Sequence, residues 1–166
     1  MAQAIFVTRD DITKFTALNG NVDTDKFISF VKIAQDIHIQ NFLGTDLFNK
    51  INDDIVSNSL AAPYSTLLSN YIKPMVIHWA FYEYIPFSGV TFANKGVYRH
   101  GSENAESLTS EDLDKLAQKQ QDIAQHYTQR FIDYMCNNSS TYPEYNSNSS
   151  GDMSPSTDND FNGWML

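Results

Sequence analysis

Cysteine is almost missing from this chain. Cys136 stands alone among 166 residues, which excludes an intrachain disulfide and fits a reducing compartment. Lys and Arg are scarce and unevenly spread. All 11 fall within residues 1–130, and residues 131–166 hold five acids and no base. A net charge of −9 without a basic cluster makes the chain a poor candidate for gripping phosphates, because nonspecific nucleic-acid affinity comes mainly from Lys and Arg. No run of ~18 apolar residues escapes a charge or a proline, so no transmembrane span is expected. The opening MAQAIFVTRDD lacks a basic stretch followed by an apolar core, so no signal peptide is expected. Walker, GxGxxG and GxSxG motifs are all absent.

What is present is apolar and aromatic. A hydrophobic fraction of 42% and an aromatic fraction of 13% support a core. The length suits one domain with appendages. A domain of roughly 130 residues buries about two thirds of its unfolded surface.

The body, residues 1–136, reads as helices. Thr8 caps a short helix to about Leu18, stopped by Asn19-Gly20. The preceding Ala4–Val7 is a short strand or an extended arm. A second helix runs from Asp23 or Thr24 to about Leu43. Phe27, Phe30, Val31, Ala34, Ile37 and His38 form one stripe at helical spacing. Ile28, Lys32, Gln35 and Ile39 form a second stripe, and two stripes imply contacts on two sides. Gly44 stops this helix and Thr45 caps the next, to about Asn58. Past Ala61-Ala62-Pro63, residues 64–85 are apolar almost all round, so they are buried on all sides or partly covered by another subunit. Pro74 should kink or break that helix.

Residues 86–108 are irregular, with a hairpin expected from Val90-Thr91-Phe92 pairing Val97-Tyr98-Arg99. Thr109 and Asp112 sit at capping-box spacing and open the longest helix, which reaches about Cys136. Leu113, Leu116, Ala117, Ala124, Tyr127, Phe131, Tyr134 and Met135 stripe one face, with Gln120 the polar exception. The fold class expected is mainly α: a small bundle of four to five helices, a short β-hairpin and an extended C-terminal arm.

That arm, residues 137–166, is the oddest segment. Half of residues 137–160 are Ser or Asn, and such a stretch alone in water cannot offset its ordering entropy. It closes on Phe161-Asn162-Gly163-Trp164-Met165-Leu166, an apolar plug on a polar tether. The pattern suits an arm that docks on a neighbour, with Phe161, Trp164, Met165 and Leu166 as anchors. The plainer reading is an apolar end folded back on its own body.

No catalytic or metal constellation is legible, and no cofactor is expected. His38, His78, His100 and His126 are scattered without an i+4 partner. His38 and His78 lie on apolar helices and read as hydrogen-bonded structural histidines. Cys136 ends a helix, where the dipole disfavours a thiolate. Asp53 and Asp54 point different ways and read as solvated surface. His100 with Arg99, Glu103 and Glu106 is the one place to search for acid–base chemistry. Tyr82, Tyr84, Phe87 and Phe92 could stack a base, but core or subunit interface is the commoner use, since only Lys95 and Arg99 interleave them.

One family resemblance rests on Ile37-His38-Ile39-Gln40-Asn41-Phe42-Leu43-Gly44-Thr45-Asp46-Leu47-Phe48-Asn49-Lys50-Ile51, Tyr71-Ile72-Lys73-Pro74, Ala80-Phe81-Tyr82-Glu83-Tyr84-Ile85-Pro86-Phe87 and Asn94-Lys95-Gly96-Val97. In its order of helices and turns, residues 10–136 resemble the helical head–tail connector (adaptor, neck ring) proteins of tailed bacteriophages. More narrowly they resemble those of Bacteroidetes-infecting and crAss-like phages. The arm has no counterpart in that resemblance. The resemblance implies a non-enzymatic virion protein at the capsid–tail junction, made in the host cytoplasm. It implies a ring of this chain, commonly twelve copies in such connectors, between the portal protein and other neck or tail proteins. Genomic DNA would pass through the channel without specific binding, and no membrane is involved. With the two-faced helices, it places ring contacts at Ile28, Ile39, Trp79, Tyr82, Tyr98 and Arg99. The competing expectation is a helical adaptor or regulator that holds a protein partner through its C-terminal arm.

Overall fold

The computed structural model describes residues 3–18, 24–99 and 108–159. Their elements are α1 (Arg9–Phe15), α2 (Thr24–Ala34), α3 (Gln40–Leu43), α4 (Thr45–Val56), α5 (Tyr64–Leu67), α6 (Lys73–Tyr84), β1 (Val90–Ala93), β2 (Gly96–Arg99) and α7 (Ser110–Asn138). Two π-helical turns, Gln35–Ile39 and Leu68–Ile72, join α2 to α3 and α5 to α6. The fold is mainly α, as expected, and the hairpin is antiparallel with Val90 opposite Arg99 and Ala93 opposite Gly96.

Both capping boxes form. Thr8 accepts from the Asp11 amide and Thr109 from the Asp112 amide, while each Asp carboxylate accepts from its threonine's backbone N–H. Asp therefore serves in place of the longer Glu or Gln.

The N-terminal segment is extended but pairs with no strand among the described residues. Side-chain amides take the place of a ladder. The Ala4 amide donates to Asn52 Oδ1 (2.8 Å), the Phe6 amide to Gln35 Oε1 (2.8 Å), and Gln35 Nε2 to the Ala4 carbonyl (3.0 Å). With its polar groups satisfied, the segment buries Ala4, Phe6 and Val7.

Helix α6 is the centre of the core, packed against α2 and α7. Its all-round apolar character is thus used largely within one protomer. Pro74 has no N–H for the carbonyl of Asn70. The helix is not broken there. It widens just upstream, where the Lys73 amide reaches back five residues to Leu68.

The π-turns also change which residues face inward. Each holds one extra residue and so shifts the following register by about 100°. Phe27, Val31 and Ala34 are buried as the spacing predicts, Gln35 is buried four residues after Val31, and at the end of the turn Ile39 faces inward. Ile37, expected in the buried stripe, is 59% exposed.

The described part of the C-terminal arm lies on the body. Residues 139–159 do not stand off the body. They fold back over α4, α3 and α7 as a strap, beginning with two 3-10 turns, Ser139–Thr141 and Pro143–Asn146. The longest helix, expected to reach about Cys136, runs on to Asn138.

Candidate interaction surfaces

Three surfaces merit description: the seat of the strap, the apolar surface of α2 and the hairpin, and a cleft beside α7.

The strap is anchored first by Tyr142, whose residue is fully buried. Its ring meets Tyr64 edge-on at 5.5 Å, and its hydroxyl lies 3.2 Å from that of Tyr134. Burial, then the Tyr134 hydroxyl, pushes the Tyr142 phenol well above its ordinary pKa. Next along the strap, Glu144 accepts from Tyr64 Oη at 2.5 Å. Burial and then this carboxylate push the Tyr64 phenol up to about 12. The expected anchors Phe161, Trp164, Met165 and Leu166 lie outside the described residues. Tyr142 was passed over because it sits in a run of Ser and Asn. The Tyr-Pro pair in that run was the available signal.

The strap then wraps the start of α4. The Asp46 carboxylate accepts from Ser147 Oγ (2.6 Å), the Ser149 amide (2.7 Å) and hydroxyl (2.8 Å), and the Ser150 amide (3.1 Å). Hydrogen bonds from Ser147, then Ser150 and Ser149, hold its carboxyl well below the usual carboxylate range. Thr45 was expected to cap α4 with its side chain. It is instead the helix's first residue, preceded by Gly44. Its hydroxyl donates to Asp152 (2.9 Å) and accepts from the Met153 amide (3.2 Å), while its amide donates to the Met153 carbonyl (2.9 Å). Farther on, the Ser156 amide donates to the Asn41 carbonyl (2.9 Å) and Asn159 Nδ2 to the Gln125 carbonyl (2.9 Å).

The residues expected at ring contacts divide. Ile28 is exposed and Tyr82 half-buried. Ile39 and Trp79 are buried in the chain's own core. Ile39 is there because the π-turn rotates it inward. Trp79 donates to Thr128 Oγ1 (3.0 Å) and stacks on His38 at 3.9 Å. Tyr98 and Arg99 contribute backbone to β2, and their side chains lie outside the described residues. Among the residues that are exposed, the spacing missed Ile33 on α2, Ile37 in the π-turn after it, and Phe87, Phe92 and Val97 at and beside the hairpin. Phe92 and Val97 are 67% and 63% exposed, and they face each other across the two strands. Phe87 links this surface to the body through Phe30, 5.4 Å away.

The histidines on apolar helices are held by hydrogen bonds, as expected. His38 Nε2 lies 2.7 Å from Glu83 Oε1. His78 stacks on Tyr127 at 5.0 Å, with Gln120 Nε2 2.5 Å from its Nδ1. This accounts for the polar exception in the α7 stripe. Burial pushes the His78 imidazole down to about 4. Asp53 is exposed and Asp54 pairs with Lys50 at 2.6 Å. His100, Glu103 and Glu106 lie outside the described residues. Among the described residues, no group of three His, Cys, Asp or Glu could hold a metal ion, and no helix is long and apolar enough to cross a membrane.

His78 and Tyr127 also line a cleft of about 550 Å³ between α1, the second π-turn, α6 and α7. Lys73 reaches across it to Asp11 at 2.8 Å. Burial works against the charge of Asp11, but hydrogen bonds from Lys73 and Thr8 outweigh it and hold this carboxyl below its ordinary value.

Comparison with curated proteins and with solved structures gave no match. The sequence pattern of a family described as a family of unknown function, DUF6712, matches residues 39–154. The matched stretch opens in the first π-turn, takes in Gly44–Asp46 and ends just past Met153. The junction and much of the strap that binds it thus fall within one family pattern, although the arm had no counterpart in the connector resemblance.

Proposed function

We propose that this chain, which belongs to the DUF6712 family, is a structural, non-enzymatic ring protein joining a phage portal vertex to the tail. The observation that carries this reading is exposed apolar surface on two different elements of one small protomer. One part is Ile28, Ile33 and Ile37 on and just beyond α2. The other is Phe92 and Val97 on the hairpin. Apolar side chains left in water on two elements of a well-packed domain suit contacts with neighbours. Different surfaces on the two sides suit head-to-tail contacts, which close into a ring when the rotation permits. The resemblance of residues 10–136 to head–tail connectors supplies the place of that ring, at the capsid–tail junction of the virion. The acidic balance suits a channel through which DNA slides without being held.

The test is cross-linking mass spectrometry on purified virions, with negative-stain microscopy of the purified chain mixed with a portal protein purified from the same virions. Cross-links to the portal and to neck proteins, with rings in the mixture, are the expected result. Absence of the chain from virions would overturn the proposal.

A further inference from the structure

One wall of the cleft beside α7 is an irregular stretch of helix. Ser69, in the second π-turn, and Pro74, just after it, both line the cleft. In an α-helix the Ser69 carbonyl would accept from the Lys73 amide, and in a π-helix from the amide of residue 74. The Lys73 amide goes to Leu68 instead, and Pro74 has no N–H. The helix therefore offers this carbonyl neither of those donors. Ser69 is exposed, so water or a ligand can serve it. Single π-turns inside α-helices are frequent at functional sites.

Arg130 supplies the second feature. It lines the same cleft and lies 5.1 Å over the ring of Tyr71, two residues along the chain from Ser69. It meets no carboxylate among the described residues. The cleft's own carboxylate, Asp11, is already paired with Lys73 at 2.8 Å. Phe15, Pro74 and Tyr127 supply apolar wall, and Tyr127 is steadied by stacking on His78 at 5.0 Å. At about 550 Å³ the space falls within the range of ligand sites, roughly 300–1,000 Å³.

An acceptor short of an N–H, a cation short of an anion and an apolar wall suit one kind of group closely. In the last residue of a peptide, an amide N–H, a free carboxylate and a side chain all branch from one carbon. We propose that this cleft is a binding site for the C-terminal residue of a peptide, with an aromatic side chain at that residue. The Ser69 carbonyl accepts its N–H, Arg130 donates to its carboxylate, and the Phe15, Pro74 and Tyr127 wall takes its ring. The proposal does not depend on the connector reading.

The test is amide NMR of the full-length chain titrated with N-acetyl-L-phenylalanine, which carries all three groups. Saturable shifts in the second π-turn, the start of α6 and the middle of α7 are expected. N-acetyl-L-phenylalaninamide, which lacks the carboxylate, should bind at least about tenfold more weakly. Hydrocinnamate, which lacks the amide, should bind at least about threefold more weakly. Arg130→Gln should erase the preference for the acid over its amide. Pro74→Ala returns an N–H to the helix, and should erase the preference for N-acetyl-L-phenylalanine over hydrocinnamate while keeping the first preference. No saturable shift, equal affinity for the three compounds, or an acid preference that survives Arg130→Gln would overturn the site. Acetyl-Gly-Gly-Phe should bind at least as tightly as N-acetyl-L-phenylalanine. Much weaker binding of this longer probe would overturn the peptide end as occupant and assign the cleft to a free N-acylated amino acid.

Discussion

A Cβ placed on Gly44 would lie 2.7 Å from Cδ of Pro155. The strap therefore crosses the α3–α4 junction at a distance that only glycine permits. Gly44 also has φ +75° and ψ 156°, a conformation almost confined to glycine. Gly44→Ala should suffer twice, from backbone strain of about 1–3 kcal/mol and from displacement of the strap. Thermal melts of Gly44→Ala, Pro155→Ala and the double variant separate the two. The double variant should recover slow amide exchange at residues 153–156 while keeping the lower melting temperature. Equal melting temperatures for wild type and Gly44→Ala would refute the close approach.

Asp46 is the electrostatic half of the same junction. Its carboxylate gathers donors from Ser147, Ser149 and Ser150 while sitting in the first turn of α4, where negative charge is favoured. Asp46→Ala should speed amide exchange across residues 147–153 and leave the middle of α7 protected. A folded pKa held below the unfolded value makes the contribution complete above the unfolded value, near 3.9. It is lost as pH falls through the folded value. Strap protection should therefore be constant from pH 7 to about 5 and fade only in stronger acid. Hydrogen exchange measured as a function of pH checks this, and uniform loss of protection across the whole chain would count against a local latch.

Much of the fold was legible because it rests on local rules. Thr8-Asp11 and Thr109-Asp112 announced two helix starts, Gly44 announced a stop, and the valine and aromatic runs around Asn94-Lys95 announced the hairpin. What misled was non-local or broke the 3.6 period. The π-turn at Gln35–Ile39 moved Ile39 from an outer stripe into the core and Ile37 out of it. A steady periodicity cannot signal an inserted residue. The polar arm read as unable to order itself. Its order comes from Asp46, Thr45 and Tyr64, roughly 80–108 residues away in the chain. Only Tyr142 and its following proline hinted at an anchor.

The neutral state of His78 makes stability depend on pH in a defined window. Burial against Tyr127 and Gln120 depresses its pKa from 6.5 to about 4. Between those values the unfolded chain binds a proton that the folded chain does not. The contribution is therefore complete above about 6.5 and is lost as pH falls towards 4. The loss should be on the order of 2 kcal/mol between pH 7 and pH 4. Urea melts at intervals of half a pH unit, on wild type and on His78→Asn, read it directly. The variant should show a flatter slope in this window, and parallel slopes would show that other groups carry the acid sensitivity.

Trp79 and Thr128 give a core prediction that sequence spacing missed. The indole N–H is buried and donates at 3.0 Å to the Thr128 hydroxyl, which itself donates to the Ala124 carbonyl. Thr128→Val keeps the shape and removes the acceptor, leaving the indole N–H unpaired at a cost of about 1–3 kcal/mol. Chemical denaturation should show that loss with an unchanged slope. A change under about 0.5 kcal/mol would mean that the indole finds another acceptor.

The hairpin separates folding from assembly. Phe92 and Val97 are exposed on facing positions of β1 and β2, and neither belongs to the main buried core. Changing both to Ser removes little burial from the chain's own fold, chiefly the contact of Phe92 with the Phe87 ring, so its stability should move by no more than about 0.5 kcal/mol. If those side chains meet a neighbouring copy, each transfers apolar surface out of water in the ring, worth about 25 cal/mol per Å², and a closed ring repeats the gain at every junction. Loss of rings in microscopy, with an unchanged melting temperature, is the expected outcome for Phe92→Ser/Val97→Ser. Rings that form as readily as those of the wild type would move the contact between copies away from the hairpin, leaving Ile28, Ile33 and Ile37 as the surface to change next.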